Sequence, residues 1–132
     1  MLVYRLEDRD GLGPLTGRSK CPSISHNIMA HEEPTELARK GHASHDYQTV
    51  NNRLWCREFV FAWNSLEMMA SFCRFPREAD RAGFYVVAYE TGEDDDVVTF
   101  RDGQVMFNRE KASAVGGFWL SRALRILFRE EA

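Results

Sequence analysis

Four histidines, three cysteines, an acidic run and a stripe of arginines are the residues of this chain best equipped for chemistry, and their spacing sets what each can contribute. His42 and His45 stand three apart, with Asp46 adjacent. On one helical turn that pattern would offer two imidazoles and a carboxylate to zinc or iron. The flanking residues are polar, show no hydrophobic period and bring no cysteine pair, so a solvated loop is expected there and no metal. Cys21 has His26 five residues on, but a cysteine nucleophile needs a base held beside it and surroundings that favour the thiolate. Nothing local joins the two, and ordinary thiols are expected. The acidic run from Glu93 to Asp96 could imitate phosphates or hold a cation. It falls where two strands must be joined, where like charges extend a loop and keep it soluble. Asp10-Gly11-Leu12-Gly13-Pro14 could bring backbone close to a ligand, but a plain turn is the expectation. Arg122, Arg125 and Arg129 share one side of a helical segment, where they would grip an acidic partner through forked hydrogen bonds or face solvent.

The elements that must position these groups are legible in part. Leu2 to Glu7 alternates as a strand. Residues 15–53 read as a partly irregular segment, relieved by a short helix from Pro34 to Lys40 closed by Gly41; His42 to Arg53 shows no clear period. Leu54 to Ala62 is aromatic and apolar enough for a strand. Asn64-Ser65-Leu66-Glu67 predicts a helix start, with Asn64 as cap and Glu67 three residues later. Leu66, Met69, Ala70 and Cys73 form its apolar stripe. Pro76 ends that helix and opens a short turn closed by Gly83. Gly83 to Glu90, rich in β-branched and aromatic residues, predicts a central strand. Val97–Phe100 and Gln104–Phe107 predict a hairpin about Asp102-Gly103. Gly117 to Glu131 predicts an amphipathic helix with Leu120, Ala123, Leu124, Leu127 and Phe128 on one face. The expectation is a single α+β domain over residues 1–132, a mostly antiparallel sheet packed with a middle helix and a C-terminal amphipathic helix.

Composition bounds the function. With 132 residues, 44% hydrophobic and 28% charged, the chain can bury a core without staples. A net charge of −3 argues against direct nucleic-acid binding and against attraction to anionic membrane. Three cysteines without regular spacing fit a reducing compartment rather than a disulfide framework. Early charges in the first residues and short apolar runs predict neither a secretory signal nor a membrane span, so the cytoplasm, of a host cell if the chain is phage-encoded, is the expected location.

Several stretches resemble a group of small bacteriophage and prophage proteins: Val3-Tyr4-Arg5-Leu6-Glu7, Gly11-Leu12-Gly13-Pro14, Asn64-Ser65-Leu66-Glu67, Gly83 to Glu90, and Gly103 to Asn108. This resemblance covers about residues 3–115 and implies a phage context rather than a chemistry. A second similarity is to the ADP-ribosyltransferase-like fold. Tyr4-Arg5 is similar to its early strand, whose arginine holds NAD, and Gln104-Val105-Met106-Phe107 to the late strand that carries its catalytic glutamate. Gln104 departs from that glutamate, and a neutral amide does not stabilise a developing positive charge as a carboxylate does. Asp102, two residues away on the same side of an extended chain, is the alternative.

Two functions from different classes follow. In the first, the chain is a phage accessory protein that binds a host protein or protein–nucleic-acid complex and blocks it sterically, as anti-CRISPR inhibitors of host defence do. Trp55, Trp63, Arg122 and Arg125 would be its binding residues, and no cofactor is needed. In the second, the resemblance implies an NAD-binding enzyme or its catalytically degenerate relative. Arg5 would then hold the pyrophosphate, Asp102 or Gln104 would approach the ribose, and His42 or His45 the nicotinamide. A homodimer through the last helix is a further expectation.

Overall fold

The computed structural model describes residues 1–13, 15–16, 19–20, 33–72, 76–92 and 97–127. The expectations attached to Cys21, His26, Cys73, the acidic run at 93–96 and Arg129 lie outside these residues.

Alternation drives the first strand, β1 (Leu2–Glu7). β2 (Leu15–Thr16) and β3 (Ser19–Lys20) form a small separate ribbon. Pro34 starts α1 (Pro34–Arg39), where a missing N–H costs nothing, and Gly41 takes a positive φ of 76° just beyond its end. α2 (Tyr47–Leu54) begins where Asp46 accepts the backbone N–H of Thr49 at 2.8 Å. That bond holds the Asp46 carboxyl below its ordinary pKa. β4 (Phe59–Trp63), α3 (Leu66–Phe72), α4 (Pro76–Arg81) and β5 (Tyr85–Glu90) follow. β6 (Val97–Thr99) and β7 (Gln104–Asn108) form the hairpin, closed by Gly103 at φ 92°. A 3-10 turn over Arg109–Lys111 leads to β8 (Ser113–Trp119), and α5 (Leu120–Leu127) ends the described chain.

Six strands make one sheet in the order β6-β7-β4-β1-β5-β8, every neighbour antiparallel. Register sorts the side chains onto two faces. Tyr4, Leu6, Phe61, Trp63, Val86, Val98 and Met106 share the first. At one end of it α3, α4 and α5 bring Met69, Ala79 and Leu120 onto Leu6, Trp63 and Val86. At the other end α1 and α2 bring Leu37, Ala38 and Val50 onto Val98, Phe100 and Met106. The second face carries Val3, Ala62, Val87, Tyr89, Val97, Val105 and Phe107 in one apolar cluster. Phe84, Phe107, Leu6, Met69 and Met106 are fully buried, each such side chain stabilising the fold by about 1.5–3 kcal/mol.

This α+β architecture is the expected class; the short turn expected from Pro76 is instead the helix α4, since proline is pre-organised for a first helical position, and four further differences from the sequence reading stand out. Residues 47–54 are helical although they show no clear period, because only Val50 of that helix is buried; one buried residue makes no stripe. The strand expected from Leu54 begins at Phe59, since Leu54 ends α2. The helix cap after β4 is Ser65, whose Oγ accepts the Met68 N–H at 3.1 Å, and not Asn64, whose own N–H bonds the Gly103 carbonyl. Gly117 to Trp119 extends β8 rather than starting a helix. β8 is exposed along nearly its whole length, so it shows no in-out alternation, and its two glycines weaken the strand signal further.

Candidate functional site

Two places in the molecule gather groups able to act on something else. The first is on the second sheet face. Arg5 and Glu7 of β1 stand beside Tyr89 of β5, and Arg109 reaches them from the end of β7. Glu7 Oε1 accepts from Arg5 Nε at 3.0 Å, from the Tyr89 hydroxyl at 2.7 Å and from Arg109 Nη1 at 3.2 Å. Arg5 Nη1 also donates to the Phe61 carbonyl, and Arg109 Nη1 to the Gly11 carbonyl. Burial pushes the Arg5 pKa down, with Glu7 acting the other way. The Gly11–Gly13 turn lies on this cluster. A Cβ at Gly13 would stand 3.1 Å from Arg5 Nη2, and one at Gly11 3.3 Å from Arg109 Nη1. These glycines serve the arginines beneath them, and the cluster ties β1, β4, β5 and the turn together.

The second place is the β8 edge of the sheet. Trp119 stands edge-on to Tyr85, ring centroids 6.3 Å apart. A groove of about 380 Å³ opens between Tyr85, Gly117, Phe118, Trp119 and Arg122, at the small end of the roughly 300–1,000 Å³ typical of ligand pockets. Val115 is 59% exposed and Trp119 50%. Arg122 and Arg125 of α5 are also exposed and make no ion pair among the described residues. An apolar edge with Arg122 at the rim of its groove has the composition of a docking surface, in which aromatic and arginine side chains supply most of the energy.

The residues singled out from sequence are scattered by the fold. Trp63 is only 7% exposed and packs in the cluster under α3 and α4, so it presents no surface; its central strand carries it inward. Trp55 is 84% exposed but follows α2, which packs near β6 and β7. β6 and β8 are five strand spacings apart, about 24 Å. Trp55 therefore does not share a patch with Arg122 and Arg125. Arg5 and Gln104 are not brought together either. Tyr4, Trp63 and Gln104 lie in one row across the sheet, so Gln104 faces the helices while Arg5, next to Tyr4, faces the opposite side. The Gln104 amide donates to Asp102 Oδ2 at 2.6 Å, within the hairpin turn. His42 meets Arg101 and His45 meets Ser44 near the β6 end, and no group of three potential metal ligands occurs among the described residues. Sequence reasoning missed Tyr85, Tyr89, Glu7 and Arg109. The signal available for the first cluster was a buried-strand position occupied by charge, Arg5 and Glu7 alternating with Tyr4 and Leu6.

The chain belongs to the family described as the bacteriophage T4 Y00F protein, whose model matches residues 1–121. It matches no curated protein and no solved structure. No helix among the described residues is long and apolar enough to cross a membrane.

Proposed function

With membership of this phage family as the premise, we propose that the chain is an accessory protein that docks on a host macromolecule and blocks it by covering a site that other components need. Inhibitors of host defence, including the anti-CRISPR kind, belong to this class. The reading is carried by one observation: Trp119 and Val115 stand exposed on an uncharged sheet edge, with Arg122 at the rim of the adjoining groove. Steric blocking favours a surface that is already formed, because ordering side chains on binding costs affinity. β8 meets that need. It is paired with β5 from Glu90 to Tyr85, and Trp119 rests against Tyr85.

The test uses the tagged chain expressed during infection, with chemical cross-linking in the cell. Wild type is expected to give a discrete cross-linked host product, reduced about tenfold or more in a Val115→Lys, Trp119→Ala variant, which corresponds to about 1.4 kcal/mol of lost binding. A product of equal intensity with both chains, or none with wild type, refutes docking through this edge.

A further inference from the structure

The two edges of the sheet are treated differently. β6 has only three residues, and the α1–α2 connection closes it off. Ser44 donates its N–H to the Thr99 carbonyl, its Oγ accepts the Thr99 N–H, and Ala43 bridges to Phe100. β8 has seven residues, Ser113-Ala-Val-Gly-Gly-Phe-Trp119, with no charge and no proline. Edge strands that are meant to stay single are shortened, covered, bulged, or armed with lysine or proline. β8 carries one such device, a bulge: Ala88 faces Gly116 and Tyr89 faces Ala114, leaving Val115 without a partner. Beyond the bulge, Gly116–Trp119 runs in regular register with Tyr85–Ala88.

The glycines of this run are not explained by the fold. Neither takes a positive φ. A Cβ at Gly116 would meet nothing within 4 Å, and one at Gly117 would make only ordinary contacts of 3.7 Å or more. Glycine inside a strand weakens it, and commonly marks where another backbone or a ligand comes close. Here the open side is solvent. Next to the run lies the Tyr85–Trp119 groove of about 380 Å³, with Arg122 at its rim and the exposed Arg125 about one turn further along α5.

We propose that the Gly116–Trp119 edge takes up an extended segment of the partner as an added strand, with an apolar or aromatic side chain in the Tyr85–Trp119 groove and an acidic residue against Arg122 and Arg125. This rests on the docking reading above and names the chemistry of its occupant. Main-chain hydrogen bonds to the edge supply affinity and the flanking pocket and charges supply selectivity, as in other cases of strand addition. Charge complementarity favours an acid-bearing segment: the edge strand is neutral, Arg122 lines the groove, and the Asp80 carboxylate nearby is engaged by Ser121 at the start of α5.

The probe is a short peptide of alternating valine and threonine with a glutamate pair at one end, compared with the same peptide ending in lysines, each titrated into the isotope-labelled protein by NMR. Amide shifts confined to β8, Tyr85 and the start of α5, with slowed amide exchange along Gly116–Trp119, are expected for the acidic peptide. The lysine peptide should bind about tenfold more weakly or not at all. An Arg122→Glu, Arg125→Glu variant, whose substitutions are on exposed side chains, should reverse the preference, and Val115→Lys should abolish binding of both while leaving the remaining spectrum intact. Equal binding of the two peptides, shifts elsewhere on the sheet, or no binding overturns the proposal. So does a concentration-dependent dimer of the protein alone with β8 protected, since a second copy would then be the occupant. Persistence of the in-cell cross-link when the peptides fail would leave docking standing and remove strand addition.

Discussion

Replacing Glu7 by glutamine isolates the charge on which the second sheet face depends. The amide keeps an oxygen in place but removes the negative charge that Arg5, Tyr89 and Arg109 all address at Oε1. The Arg5 and Glu7 side chains are 9% and 6% exposed, that of Arg109 35%, so the Arg5 guanidinium would be left buried without its counter-charge and facing a second, partly hydrated guanidinium. Removing one partner of a buried ion pair costs about 3–5 kcal/mol, because the remaining charge is stranded. Unfolding entropy of about 2.1 cal/mol/K per residue gives about 0.28 kcal/mol/K for 132 residues, so the melting temperature should fall by about 11–18 °C. Urea denaturation followed by circular dichroism measures the loss directly, with an unchanged slope showing that the native state keeps its compactness. A companion variant sharpens the test. Arg109→Met should cost less in the Glu7→Gln background than in wild type, since it relieves a repulsion there and breaks an ion pair here. A loss below about 1 kcal/mol for Glu7→Gln, or strict additivity of the two changes, would refute the view that this cluster is held by its single carboxylate.

Other expectations follow from the same geometry. Burial and donation to Glu7 push the Tyr89 hydroxyl up to about 12; the unfolded chain therefore releases this proton first, and stability should be full below pH 10 and decline as pH rises towards 12. Tyr89→Phe should remove that part of the decline, at a cost of about 1.5–3 kcal/mol at neutral pH for a hydrogen bond to a charged group, both read from denaturant midpoints across pH. Ser65→Ala should destabilise by about 0.5–2 kcal/mol through loss of the α3 cap, while Asn64→Ala should not show a capping loss, and equal effects in thermal melts would contradict the Ser65 assignment. Gly103→Ala places a Cβ at 2.9 Å from Met68 Cγ at a φ of 92°, and should cost about 1–3 kcal/mol in the same melts.

Much of the fold was written in local pattern. β1, β5 and the β6–β7 hairpin were readable because their residues alternate or run apolar and because glycine marks the turns, Gly83 and Gly103 both taking positive φ. α1 was readable from Pro34 and Gly41. α2 and β8 were not, for the same physical reason: a segment that buries one side chain or almost none carries no period, whatever its backbone does. Of the docking edge, Arg122 and Arg125 were legible as a helical stripe, but the groove was not, because Tyr85 and Trp119 are 34 positions apart and meet only through the β5–β8 register.

The sequence by itself determined the class of fold and its main strands and turns, since each depends on composition or on neighbours along the chain; the phage context came from the resemblance of several short stretches. Tertiary structure alone decided which aromatic residues face water, Trp63 going inward on a central strand while Trp119 stays out on an edge. It also decided that Arg5 faces Glu7 and Tyr89 rather than Gln104. Strand order and register set both outcomes, and they are properties of pairings between distant segments, which no local window contains.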